Sequence, residues 1–351
     1  MEIQAGIYYR YKGAYVLLCK DVLFTKELID KLRAVAELNG GIYIEESSYA
    51  EVWQESLRQY EVETSDYSKS YHRVRQEYNR VLSETVTLLG DNTPSRGISI
   101  QHAESISSAI SAHLEHTKPS LLLNCINMIY AADNYLYTHC VNVATLNGMI
   151  GRWMELPEAE IDRLIKIGLL HDLGKLSVPQ DVLNKPGKLT AEEFACIKQH
   201  PVFSYESLKK SGETDSYVLD GVRQHHEKAN GSGYPDGLKN DQVSLAARIT
   251  AVSDVYDAMV SKRCYKDANT PFDVLALFKD NQFSDLDMQI VRVFLRNIVY
   301  LLVGMRVQLK SGEIGEVIFV GEHNYASPVI KIGDRILTES QGCRCLTDEL
   351  P

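Results

Sequence analysis

With 351 residues, 44% of them apolar and 24% charged, the chain can bury a sizeable core and attach smaller modules to it, which excludes a disordered or fibrous protein. A formal net charge of −10 argues against duplex nucleic acid as a partner, because sequence-independent binding rests on an excess of Lys and Arg; a small anion met by a metal or a few cations stays allowed. The opening MEIQAGIYYRYKGAYVLL mixes charged with apolar residues, unlike a secretory signal, and the most apolar window, Asn297–Met305, is far shorter than the roughly 20 residues a bilayer requires, so a cytoplasmic location and no membrane span are expected.

Residues 1–65 read as a small α/β regulatory module. A strand begins near Ile3, Lys12-Gly13 turns it, and a second strand runs through Val16-Leu17-Leu18. A helix from Thr25 to Leu38 stops at Asn39-Gly40-Gly41, before a short strand at Ile42–Ile44. No ligand is assigned to this module.

Residues 66–97 read as a linker helix and a turn-rich boundary. Tyr67, Tyr71, Val74, Tyr78, Val81, Thr85 and Leu88 recur at alternating steps of four and three, the spacing of a seam. The seam is either a homodimer interface, through residues 67–88, or packs against a helix of the same chain. Gly90 to Gly97 breaks the pattern and marks the clearest domain boundary.

Residues 98–302 are expected to be all-helical, with helices at Ile98–Glu115, Ser120–Ala132, Tyr137–Trp153, Pro157–His171, Ala191–Ser211, Ser216–Glu227, Leu245–Ser261, Pro271–Lys279 and Asp285–Leu302. From 303 to 351 short β-rich pieces at Arg306–Leu309, Gly315–Val320, Pro328–Ile332 and Arg335–Thr338 suggest a small β-barrel-like module. The fold class is thus mainly α, a helical bundle between an N-terminal α/β module and a C-terminal β module. Seven cysteines, an odd number without a CxxC pair, argue against a disulfide framework. Cys343 and Cys345 read as strand positions in preference to a metal or redox pair.

The chemistry gathers in the helical region. His171-Asp172 ends an apolar helix, and a carboxylate beside an imidazole can ligate metals, with the Asp able to bridge two ions. One such dipeptide means little. His139, His200, His225, His226 and Asp254 lie on other helices of the same region, so that half of the chain's ten histidines join the set. Gly231, Gly233, Tyr234 and Pro235 follow His225-His226 directly and read as a loop in which glycine admits close backbone approach and proline stiffens the turn.

Five segments together resemble the HD-GYP family of cyclic di-GMP phosphodiesterases, a branch of the HD-domain superfamily, over about Ile98–Leu302. They are Asp133-x-Tyr135-x-x-x-His139-x-x-Asn142-Val143, HDLGKLSVPQDVLNKPGKLT from His171, His200-Pro201, HHEKANGSGYPDGL from His225, and AARITAVSDVYDAMVSKRCYK from Ala246. The resemblance implies an HD-domain bundle and two divalent ions: His139, His171, Asp172 and Asp254 around one, and Asp172, His200, His225 and His226 around the other. A set rich in nitrogen and carboxylate suits iron or manganese better than magnesium or calcium, and the lack of Cys ligands argues against structural zinc. The resemblance further implies that a water activated between the metals opens cyclic di-GMP to linear pGpG, with further cleavage to GMP left open. Asp172 and Lys175 take the catalytic roles, and Asp133, Tyr234, Arg263 and Lys266 contact the dinucleotide. A receptor with little turnover and a hydrolase for another cyclic dinucleotide remain the alternatives.

Two positions depart from the family pattern: Asn230 stands where an Asp is usual and Leu136 where a Thr is common. Relatives that hold a third ion carry a Glu at the position of Tyr135. A neutral phenol, with a reference pKa of about 10, is a poor ligand, so two ions are expected.

Overall fold

The computed structural model describes residues 5–11, 14–19, 42–46, 50–90, 97–128, 135–185, 187–261, 270–280, 282–283, 285–321, 324–333, 335–337 and 344–345. The chain divides into two compact units, Met1–Ser70 and Tyr71–Pro351. In the first, strands β1 (Ala5–Tyr11), β2 (Ala14–Cys19) and β3 (Ile42–Glu46) form an antiparallel sheet in the order β2-β1-β3. The expected helix at Thr25–Leu38 lies outside the described residues.

Helix α1 runs from Ala50 to Gly90, so the seam belongs to an element longer than its repeat. Tyr71, Val74, Tyr78, Val81, Thr85 and Leu88 are all buried without a second copy of the chain, so these side chains serve the chain's own interior. Among the described residues, eleven further α-helices follow. They are α2 (Ile100–His116), α3 (Pro119–Met128), α4 (Tyr135–Trp153), α5 (Glu158–Leu170), α6 (Gln180–Leu183), α7 (Ala191–Ile197), α8 (His200–Lys210), α9 (Ser216–Gln224), α10 (Leu245–Val260), α11 (Pro271–Lys279) and α12 (Met288–Leu301). A 3₁₀ turn at Leu173–Ser177 follows α5.

Helix α4 is the centre of this bundle. Every residue from Thr138 to Gly151 is buried, the pattern of a helix surrounded by others, and α2, α5, α10 and α12 pack on it. The side-chain NH₂ of its Asn147 finds partners inside, donating to the Leu164 carbonyl at 3.0 Å and to the Thr250 hydroxyl at 2.9 Å. Phe294 of α12 meets Tyr256 of α10 edge-on, with ring centroids 5.0 Å apart, and Phe278 of α11 at 5.8 Å. Each such aromatic pair contributes on the order of 1 kcal/mol beyond its buried area.

The expected single helix Ala191–Ser211 is two helices. Pro201 lies in the first turn of α8, where its missing N–H costs nothing, but it could not donate within a continuous helix. The break at Lys198 and Gln199 puts His200 at the start of α8. Helix α7 begins with a reciprocal cap, the Thr190 hydroxyl accepting from the Glu193 amide and the Glu193 carboxylate from the Thr190 amide.

After α12, strands β4 (Arg306–Gln308), β5 (Ile314–Gly321), β6 (Asn324–Ile332), β7 (Arg335–Leu337) and β8 (Arg344–Cys345) form an antiparallel sheet in the order β7-β6-β5-β4-β8. Strands β7 and β8 are its edges and do not pair, so among the described residues the barrel-like closure expected from the sequence is replaced by an open sheet. Helix α11 packs against β6. Cys345 lies in β8, and Cys343 lies outside the described residues. No described helix is long and apolar enough to cross a membrane.

Candidate metal centre

The seven candidate metal ligands singled out in the sequence converge from five helices. His139 comes from the first turns of α4, His171 and Asp172 from the end of α5, His200 from the start of α8, His225 and His226 from the end of α9, and Asp254 from α10. His139, His171, Asp172, His200 and His225 are essentially inaccessible, whereas Asp254 and His226 retain 14% and 24% of their side-chain surface.

Asp172 stands between two groups of donors. Its Oδ2 lies 3.5 Å from His139 Nε2 and 3.4 Å from His171 Nε2, while its Oδ1 lies 3.2 Å from His200 Nε2. His139, His171 and Asp254 bring one ligand atom each within 4.8 Å of one another, and so do His200, His225 and His226. Neighbouring imidazole centroids are 4.2 to 5.3 Å apart.

Tautomers follow from the outer partners. The Nδ1 atoms of His171, His200 and His225 lie 2.8, 2.8 and 2.7 Å from the carbonyls of Gly168, Ile197 and Val222. A carbonyl only accepts, so each Nδ1 donates and each neutral ring leaves a lone pair on Nε2. His200 Nε2 and His225 Nε2 then face each other at 3.2 Å as two lone pairs, and His171 Nε2 is buried with no hydrogen-bond partner. These are unfavourable arrangements for a site meant to stay without a cation, and they fit nitrogen ligands for divalent metal.

The electrostatics agree. Burial holds His171, His225 and His226 below the usual imidazole range, in the neutral form that binds metal. Burial would also lower His139, but the Asp254 and Asp257 carboxylates beside it raise it to about 9 in the metal-free centre. Burial alone would raise the Asp172 carboxyl; the Lys175 ammonium, 2.5 Å from its Oδ2, and the neighbouring imidazoles hold it well below the usual range. Lys175 thus lies on Asp172 itself, supplied by the turn after α5.

Gly174 makes that turn possible. A Cβ there would sit 2.1 Å from the His200 carbonyl oxygen and 2.6 Å from the Ser204 amide nitrogen, so only glycine lets the turn close onto α8. The Gly174 amide donates to the Ser204 hydroxyl at 2.7 Å, and that hydroxyl donates to the His171 carbonyl at 2.8 Å.

The loop after His226 is held from behind by Glu227. Its buried carboxylate accepts from the amides of Asp236, Gly237 and Leu238 at 2.6, 3.0 and 3.0 Å. Gly233 passes so close to the backbone of residues 226–228 that a Cβ would meet it at 2.5 Å. Gly231 has φ 78°, and Pro235 follows Tyr234. The Tyr234 ring lies beside His226, centroid to centroid 4.7 Å, which puts an aromatic face next to the centre. Tyr135 stacks on His139 at 5.7 Å. Asp133, Arg263 and Lys266 lie outside the described residues.

Sequence reading missed Asp257, Glu227 and Ser204. Asp257 accepts from His139 Nδ1 at 2.6 Å and from the Asn142 amide at 2.7 Å. Its position three residues after Asp254, on the same helix face, was the available signal.

Residues 124–290 match the family model described as HD domain. The chain is 34% identical over 255 residues to a protein of Pseudomonas aeruginosa named as a cyclic di-GMP phosphodiesterase, covering 72% of this chain and 61% of that one. It is 37% identical over 155 residues to 3'3'-cGAMP-specific phosphodiesterase 2 of Vibrio cholerae, covering 44% and 30%. It is 40% identical over 152 residues to the cyclic di-GMP phosphodiesterase response regulator RpfG of Xanthomonas campestris, covering 42% and 40%. The chain therefore spans between about a third and three fifths of the length of these relatives. A HDG"Y"P protein from Bdellovibrio bacteriovorus shares the fold with a TM-score of 0.54 at 17% identity, over 86% of this chain and 95% of that one.

Proposed function

We propose that this chain is a member of the HD-domain family, in its HD-GYP branch, and a metal-dependent phosphodiesterase that hydrolyses cyclic di-GMP to linear pGpG, GMP being the product of a second cut. The observation that carries the reading is Asp172, a buried carboxylate whose two oxygens face opposite ligand groups. In this reading His139, His171, Asp172 and Asp254 hold one ion, and Asp172, His200, His225 and His226 hold the other. Nitrogen-rich ligation favours iron or manganese.

A divalent pair there would supply Lewis-acid activation of water and neutralise charge on the phosphoryl oxygens. The chain's own residues do the rest. The carbonyls of Gly168, Ile197 and Val222 and the Asp257 carboxylate fix the four innermost imidazoles in the tautomer and direction that ligation requires. Lys175 brings a cation to the place where negative charge grows as water adds to phosphorus and the bond to the 3′ oxygen breaks. Tyr234 gives the dinucleotide an aromatic face beside His226, while Asp133, Arg263 and Lys266 are assigned to a guanine edge and the phosphates through the family resemblance. The regulatory role of residues 1–65 and the boundaries at 66–97 and 303–351 belong to the same proposal.

The similarity to a cGAMP-specific relative supports a second substrate reading. Protein purified without oxygen and reloaded with Fe²⁺ or Mn²⁺ should be given cyclic di-GMP and 3'3'-cGAMP in parallel, with products separated by chromatography. Conversion of cyclic di-GMP to pGpG is expected. Faster cleavage of the hybrid dinucleotide would move the assignment to cGAMP, and tight binding without single-turnover product would make the chain a receptor.

A further inference from the structure

The candidate centre is tied to helix α1 by an unbroken line of buried hydrogen bonds. The Tyr78 hydroxyl donates to Asn142 Oδ1 at 2.5 Å, Asn142 Nδ2 donates to Asp257 Oδ1 at 2.7 Å, and His139 Nδ1 donates to Asp257 Oδ2 at 2.6 Å. Tyr78, Asn142, Asp257 and His139 are 3%, 0%, 0% and 2% exposed, so no water competes for these bonds.

The direction of every bond is dictated by chemistry. The Asp257 carboxylate only accepts, so Asn142 must turn its NH₂ toward it and its carbonyl oxygen toward Tyr78. That oxygen needs a donor, which the phenol provides; burial raises the Tyr78 pKa well above its ordinary value, and the hydroxyl keeps its proton. With His139 Nδ1–H donating to Asp257, the opposite nitrogen, Nε2, is left pointing at Asp172 and Asp254, 3.5 and 3.0 Å away. The Ser261 hydroxyl, 3.3 Å from Asp257 Oδ2, adds a weaker support from the end of α10.

Tyr78 stands 64 residues before Asn142, outside the matched HD-domain segment. We propose that Tyr78 is a positioning residue for the metal centre, acting through Asn142 and Asp257 to fix the His139 ring for ligation. It touches neither metal nor substrate. Removing its hydroxyl leaves Asn142 Oδ1 buried without a donor, and Asn142 can then rotate and release Asp257.

The inference rests on the metal-centre reading above, and its test reads metal binding directly. Full-length wild type, Tyr78→Phe and Val81→Ala are stripped of metal and titrated with Mn²⁺ alone, with thermal unfolding of the metal-free proteins run beside them. Val81 is equally buried on the same helix but has no part in the bonds, so its truncation controls for general loosening. Tyr78→Phe should weaken Mn²⁺ binding by about tenfold, the lower end of what outer partners of ligands contribute. Its KM for cyclic di-GMP should be unchanged, and excess Mn²⁺ should restore its kcat. Val81→Ala should melt earlier and hold Mn²⁺ as wild type does.

Wild-type Mn²⁺ affinity in Tyr78→Phe, or equal weakening in Val81→Ala, would overturn the proposal. Failure of wild type itself to bind Mn²⁺ would overturn the metal-centre reading and this one with it. Differential Mn²⁺ binding without any cleavage of cyclic di-GMP would leave the positioning role standing and remove the phosphodiesterase assignment.

Discussion

Gly174→Ala tests whether the close approach of the turn after α5 to helix α8 builds the centre. Ordinary Cβ contacts begin at 3.4 Å, and the added methyl would start 2.1 Å from a backbone oxygen, so the turn must retreat by roughly 1 Å. Both nearest atoms belong to backbone, which leaves no side chain to swing aside. The retreat stretches the bonds that join Gly174, Ser204 and His171. Overpacking and two weakened hydrogen bonds together predict a loss of about 3 kcal/mol in stability. Asp172 also moves away from His200, now 3.2 Å distant, and a displacement of that size predicts a fall of about 100-fold in kcat. Urea unfolding of metal-free protein, metal content after reloading, and turnover of cyclic di-GMP would be measured together. A Gly174→Ala protein with wild-type stability and wild-type metal uptake would refute the steric reasoning.

Asp172→Ala should lose most bound metal and all activity while keeping its helical circular dichroism; full metal occupancy would remove the bridging role. Lys175→Ala should chiefly lower kcat, and Arg263→Ala should chiefly raise KM, because a phosphate contact kept throughout the reaction acts on binding; an unchanged KM in Arg263→Ala would end its assignment. In metal-free protein the raised His139 pKa contributes stability that is complete below pH 6.5 and is lost as pH rises through about 9. Metal competes with that proton, so affinity should rise by about tenfold per pH unit across the same window, and calorimetry in buffers of different ionisation heat should detect about one proton released at pH 7. Two ions per chain are expected even in excess metal, because Tyr135 stacks on His139 where a carboxylate would be needed; a third strong anomalous diffraction peak within bridging distance would contradict this.

The residues that gather at the centre were legible because their chemistry is unusual in a helical interior. His139, His171, Asp172, His200, His225, His226 and Asp254 are costly to bury unless they ligate, so their clustering along the sequence carried information. Their supports were not legible in the same way. Asp257, Ser204 and Glu227 are ordinary residue types whose roles depend on distances of 2.6 to 3.0 Å to partners 118, 33 and 9 to 11 residues away, which no local pattern encodes. The seam on α1 was visible as periodicity, but periodicity does not say what covers it; the buried Tyr78 and its bond to Asn142 do. The division of the expected helix Ala191–Ser211 turned on one proline whose effect the apolar pattern had masked. The C-terminal strands were recognisable from composition, whereas closure depends on which edges pair, and β7 and β8 do not.

The three amides gathered by Glu227 have a consequence for redesign. The base of the loop is drawn in by one carboxylate, the Asn230 side chain holds the Ser232 amide at 2.9 Å near the tip, and the side chains of Ala229 and Ser232 are exposed there. A library randomised at Ala229 and Ser232, with Glu227, Asn230 and Gly233 left in place, would therefore vary the surface offered to a ligand while the two histidines before it keep their places. Substrate preference and metal loading become separable traits, open to selection one at a time.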